Sequence, residues 1–136
     1  MPEATVGALI LSGRGADVSV LLTLRNVPPF KGQWCVPGGH IDHNETAADA
    51  VVREVKEETG LDFNGEFFGP FDEIFPELGI HNVALMYTGT CSGTLRDNPA
   101  EVGESRWFPL AEALRLPLAF GHNEVLRRYG RSMEAE

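Results

Sequence analysis

Apolar residues along the chain fall into short runs, and the spacing within each run identifies its element. Residues 5–11 (TVGALIL) and 18–24 (VSVLLTL) are apolar and rich in strand formers, so each reads as a strand. Gly13, Gly15 and Asp17 between them mark a turn, which makes the pair a hairpin. Pro28, Pro29 and Gly32 break the pattern over 26–34 and predict a loop. Trp34-Cys35-Val36 then meets a Pro37-Gly38-Gly39 turn and a short stretch at His40-Ile41-Asp42.

The period changes to 3.6 after residue 46. Ala48, Val51, Val52 and Val55 form a helical stripe, and the spacing predicts a helix over 47–59. Thr46 is the expected N-cap with Asp49 as its capping-box partner, and Gly60 is suited to end the helix in a left-handed conformation. Strands follow over 66–74 and 81–90, and a loop over 92–101 leads to a strand around Trp107. Pro109 opens a helical turn through Leu114, and a last amphipathic helix is expected over 121–128, with fraying after Gly130. Strands around a central helix, with another helix at the end, predict an α/β fold with a mixed sheet between helical layers.

The 136 residues are read as a single domain, 1–136, with 43% hydrophobic and 23% charged residues, a globular balance. No apolar run reaches the ~20 residues that span a bilayer, and residues 1–4 lack the basic-then-apolar start of a signal sequence. Cys35 and Cys91 do not make a disulfide framework, so a cytoplasmic location is expected. The formal net charge is −9. Affinity for long nucleic acid comes largely from Lys and Arg releasing counterions, so an RNA or DNA partner is disfavoured and a small nucleotide favoured.

The chemistry concentrates in residues 39–61, GHIDHNETAADAVVREVKEETGL. Glu54, Glu57 and Glu58 stand at i, i+3 and i+4, where like charges repel by roughly 0.2–0.5 kcal/mol per pair. A hard divalent cation would turn that repulsion into attraction. Zinc is not indicated, because His40 and His43 have no matching Cys or His pair. His81 and His122 read as packing or substrate-adjacent residues.

Gly39, Glu45, Arg53, Glu54, Val55, Glu57, Glu58, Gly60 and Leu61 occupy every specified position of the Nudix box. The chain therefore resembles the Nudix (MutT-like) hydrolases. That resemblance implies an α/β/α sandwich and Mg²⁺-dependent cleavage of a nucleotide phosphoanhydride, with Mn²⁺ able to substitute. It places metal on Glu54, Glu57, Glu58 and a backbone carbonyl of Gly38 or Gly39. It makes Glu57 the catalytic base oriented by Arg53, with Glu104, the preferred acid of the pair Glu101 and Glu104, as alternate. Glu45 and Gly60 are structural, and Arg25 and Gly38 face substrate phosphate. Asn44 stands where many members have glycine, and Asn tolerates a left-handed backbone. A homodimer is compatible with the resemblance.

Features of the chain divide over the substrate. Its length and the 37–46 segment resemble the members that act on nucleoside triphosphates, which implies a nucleoside triphosphate, standard or damaged. Pro76, fifteen residues past Leu61, and the segment 118–122 resemble features of the ADP-ribose-hydrolysing members, which implies ADP-ribose or another nucleoside-diphosphate sugar. A third reading, of another class, is a non-catalytic nucleotide sensor, against which stands the complete set of box acids.

Overall fold

In the computed structural model, which describes residues 1–134, the apolar runs become the strands of one seven-stranded sheet. Strand β1 (Glu3–Ser12) and β2 (Ser19–Arg25) are antiparallel and pair only where they leave the turn, at Leu11↔Val20 and Ser12↔Ser19. Beyond that point they diverge. The body of β1 pairs antiparallel with the short β4 (Gly38–His40) on one edge. On the other it pairs parallel with β6 (Ile80–Ser92), from Glu3↔Asn82 to Ile10↔Gly89. Strand β5 (Asp62–Phe75) lies antiparallel on β6. The outer half of β2 carries β3 (Trp34–Cys35), and its other edge carries β7 (Val102–Pro109). The sheet is mixed because of the single parallel pair.

Side chains alternate between two cores. Val6, Ala8 and Ile10 of β1 and Leu21 of β2 pack against helix α1 (Ala47–Thr59) with Val51, Val55, Leu61 and Phe63. Leu9, Val20 and Leu22 face the opposite way, onto α2 (Leu110–Ala113) and α3 (Asn123–Glu134), among Phe71, Met86, Phe108 and Leu126. This is an α/β/α sandwich, the period-2 alternation of the strands feeding both layers. No helix among the described residues is long and apolar enough to cross a membrane.

Three expectations change. The buried stripe of α1 is Ala50, Val51, Glu54, Val55 and Glu58, while Ala48 and Val52 are exposed. The stripe is rotated because two glutamates belong to the inward side, which an apolar pattern does not reveal. The last helix begins at Asn123, not 121, because Phe120 and Gly121 have φ of 56° and 69°. It also does not fray after Gly130 but continues to Glu134, where Arg131 reaches back to Glu124 at 3.1 Å.

Candidate active site

The site is assembled on α1 and the loop that enters it. Thr46 Oγ1 accepts the Asp49 N–H at 3.1 Å and caps the helix, as its sequence position predicts. Asn44 adopts φ 65° just before it. Gly60 closes the helix at φ 75°, its N–H donating to the Lys56 carbonyl at 2.9 Å.

Arg53 is the hub. Its Nε and Nη2 donate to the two oxygens of Glu45 at 2.8 and 2.9 Å, a paired fork of charge-assisted bonds. Nη2 also donates to the His40 carbonyl at 3.1 Å. Nη1 donates to Glu54 at 2.9 Å and to both oxygens of Glu57 at 3.3 Å. Glu45 accepts the Asp42 N–H as well, at 3.0 Å, so it ties the entering loop to the helix. The Arg53 fork, with help from that amide, lowers the Glu45 carboxyl from 4.5 to about 2. Arg53 is held firmly in its charged form by the same bond to Glu45.

Glu54 and Glu58 point from α1 toward the sheet and are 9% and 8% exposed. Carboxylate oxygens of Glu54, Glu58 and Glu101 lie within 4.8 Å of one another. Burial raises the pKa of Glu54, with Arg53 opposing, and raises that of Glu58 well above the ordinary range. Three converging carboxyls, two of them buried, match the oxygen donor set that Mg²⁺ or Mn²⁺ takes, and a bound cation would favour their ionised form.

Backbone completes the arrangement. The Gly38 N–H donates to Glu58 Oε1 at 2.8 Å. A Cβ at Gly39 would sit 2.6 Å from the Glu54 carboxyl carbon, so only glycine lets β4 lie against that carboxylate. The loop after β6 folds back over the end of α1. The Arg96 N–H donates to the Thr59 carbonyl at 2.6 Å and the Asn98 N–H to the Glu58 carbonyl at 3.2 Å. These amides satisfy carbonyls that the helix end leaves free, and they deliver Glu101 to the cluster.

Beside the cluster, on the other side of Gly38 and Gly39, lies a cleft of about 650 Å³. Arg25, Pro28, Pro29 and Phe120 line it, with Glu73, Asn82 and His122. Arg25 donates from Nε to the Pro29 carbonyl at 2.6 Å, and its guanidinium lies 4.9 Å from the Phe120 ring centre. A guanidinium has five N–H donors, so others remain for a ligand.

The structure thus brings together Glu45, Arg53, Glu54, Glu57 and Glu58, with Gly38 and Gly39 against them. Glu57 is separate from the trio of Glu54, Glu58 and the exposed Glu101, and it is half exposed, in contact with Arg53. Glu104 does not join the cluster. It pairs with Arg106 at 2.7 Å, because residues two apart on β7 share a face. Glu101, the other acid of this region, takes the place beside Glu54 and Glu58. Sequence spacing held no signal for that choice, since the position depends on how the loop folds over α1. Nothing in the sequence marks the cleft residues Glu73 and Asn82 either. Their proximity comes from the β5–β6 register.

The NUDIX domain family model matches residues 1–129. The chain is 31% identical over 116 residues to the ADP-ribose pyrophosphatase of Methanocaldococcus jannaschii, covering 85% of this chain and 68% of that protein. Its fold matches the crystal structure of a MutT NUDIX hydrolase from Burkholderia pseudomallei with a TM-score of 0.81 and 31% identity, over 93% of this chain and 95% of that one. It also matches the NUDIX domain of Shewanella oneidensis NrtR complexed with ADP ribose, with a TM-score of 0.85 and 27% identity, over 98% and 89% of the two chains.

Proposed function

The chain belongs to the Nudix hydrolases, enzymes acting on nucleotide phosphoanhydride bonds, and from that premise we propose that it is a divalent-metal-dependent pyrophosphohydrolase of a small nucleotide. The observation that carries this reading is the convergence of Glu54, Glu58 and Glu101 beside an open cleft.

Nudix hydrolases generally use divalent metals, and here Glu54, Glu58 and Glu101 would hold Mg²⁺, or Mn²⁺ in its place. When bound, the cation supplies neutralisation of phosphate charge and acidification of water. Glu57 accepts the proton of the attacking water. The water oxygen bonds to phosphorus, the bridging P–O bond breaks, and the bridging oxygen leaves on the second phosphate. Arg53 fixes Glu57 and Glu54 relative to each other through one nitrogen. Arg25 faces the phosphates from the cleft. These roles need positioning and electrostatics more than covalent chemistry, as phosphoryl transfer generally does.

Two substrate classes suit the cleft. The similarity to an ADP-ribose pyrophosphatase and to a domain solved with ADP ribose favours ADP-ribose-like diphosphates. The similarity to a MutT hydrolase supports the nucleoside triphosphate that the sequence places first. Likeness to NrtR keeps a sensor as the reading of another class, opposed by the intact acids of the box. The unbridged Cys35 and Cys91 accord with a cytoplasmic location.

The test is a chromatographic screen with Mg²⁺ for the nucleotide products of ADP-ribose, nucleotide sugars, dinucleoside polyphosphates and nucleoside triphosphates. Turnover of one class supports the enzyme and names its substrate. Tight binding of ADP-ribose with no turnover of any nucleotide supports the sensor instead.

A further inference from the structure

Glu73 and Asn82 stand opposite each other in the β5–β6 register, and both line the cleft. They are 5% and 8% exposed. Asn82 Nδ2 donates to Glu73 Oε1 at 3.1 Å, and His122 Nε2 lies 3.0 Å from Glu73 Oε2. The Val36 N–H is aimed at His122 Nδ1 at 3.2 Å and needs the lone pair there. Burial lowers the His122 pKa, but Cys35 and Glu73 beside the ring raise it to about 9. The Val36 amide needs an unprotonated Nδ1, so we take the ring as neutral with Nε2–H donating to Glu73.

A buried carboxylate is costly unless it is fully paired. A strut between strands does not require one, because the β5–β6 ladder runs from Asp62↔Ser92 to Phe75↔Ile80 through backbone bonds. What the trio offers the cleft is acceptors. With its nitrogen turned to Glu73, Asn82 presents its carbonyl oxygen, and each Glu73 oxygen has a second lone pair. Among the described residues, Arg25 is the single Lys or Arg lining the cleft, and it is held over Phe120. A floor that is acidic and rich in acceptors repels phosphate and receives uncharged donors.

We propose that Glu73 and Asn82 are the specificity-determining residues of the cleft, accepting hydrogen bonds from N–H or O–H donors on the part of the nucleotide that is not cleaved. This rests on the nucleotide reading above. The donors come from one of two sources, the amino edge of a base or the hydroxyls of a ribose. The charge of the floor also sets orientation, with the phosphates toward α1 and the uncharged end against Glu73.

The test is steady-state kinetics with Mg²⁺ on the wild type, Glu73→Gln and Asn82→Ala. The substrates are the preferred nucleotide, its analogue lacking the exocyclic amino group, its 2′-deoxy analogue, and a methyl ester of the same polyphosphate. Both variants should raise KM for the nucleotide about ten- to a hundredfold with kcat little changed, and leave the methyl ester unaffected. In the wild type, one analogue should show the same loss, which identifies the donor as amino or hydroxyl. Equal slowing of nucleotide and methyl ester, or no change in either, overturns the proposal. Should Glu73→Gln fail to fold, Asn82→Ala carries the same comparison.

Absence of any wild-type turnover would instead count against the hydrolase reading. Calorimetric binding of AMP, CMP and GMP then tests the floor alone. Binding that weakens in the variants sustains the proposal, and equal binding, or none to the wild type, overturns it.

Discussion

Both carboxylate oxygens of Glu45 are held by the guanidinium of Arg53, at 2.8 and 2.9 Å, across the turn that starts α1. The same guanidinium reaches Glu54 and Glu57 with its remaining nitrogen, so one side chain joins the loop, the buried cluster and the proposed base.

Arg53→Lys should therefore be far from conservative. A lysine keeps the charge but lacks the planar fork that serves Glu45 while touching two other acids. Turnover should fall on the order of 10–100-fold, the usual cost of losing a group that orients metal ligands. Rates within twofold of wild type in a folded Arg53→Lys protein would contradict the hub assignment.

Glu45 makes a prediction about acid stability. Its carboxyl sits at about 2 in the folded chain against an ordinary 4.5, so the unfolded chain binds that proton more readily. The contribution of Glu45 to stability is complete above about pH 4.5 and is lost as pH falls through about 2. Denaturant midpoints for wild type and Glu45→Gln should differ most near neutral pH and converge through that window. A gap that stays constant down to pH 2 would count against the Arg53–Glu45 pair as its source.

Glu101→Gln and Glu104→Gln separate the two acids of the loop region. Glu101 lies with Glu54 and Glu58, whereas Glu104 is engaged by Arg106 on the surface. Calorimetric Mn²⁺ titration should show about tenfold weaker binding for Glu101→Gln and none of that loss for Glu104→Gln. The reverse order would move the metal site along the chain.

Gly39→Ala adds one methyl group, and its Cβ would lie 2.6 Å from the Glu54 carboxyl carbon. The carboxylate must swing away from its place beside Glu58. The Mg²⁺ concentration for half-maximal rate should rise about tenfold or more, measured by rate titration, with a small change in melting temperature. An unchanged titration would mean that Glu54 is free to move without consequence.

The local structure was legible where local rules decide it. Thr46, Asn44 and Gly60 are set by capping and backbone preference, and each adopts the conformation its residue type favours. The apolar runs of β1 and β2 located strands whose alternating sides feed two cores. The spacing of Glu54, Glu57 and Glu58 pointed to shared chemistry, but spacing alone does not say which of them turn inward. Helix α1 is rotated so that Glu54 and Glu58 are buried while Glu57 is exposed to its partner Arg53. What the chain concealed depends on distant segments meeting. Glu101 reaches the cluster because the Arg96 and Asn98 amides dock on the carbonyls at the end of α1. Glu73 meets Asn82 through strand register, and His122 through the turn that the positive φ of Phe120 imposes before α3.

The most direct test of the metal-dependent hydrolase is a Mg²⁺ titration of initial rate with ADP-ribose and with nucleoside triphosphates, on wild type and Glu58→Gln, with folding verified by circular dichroism. The account predicts turnover that saturates with Mg²⁺, vanishes with chelator, and falls on the order of 100-fold in Glu58→Gln, since the variant removes a ligand that Gly38 and burial hold in place. Chelator-resistant turnover, or wild-type rates in a folded Glu58→Gln protein, would contradict it.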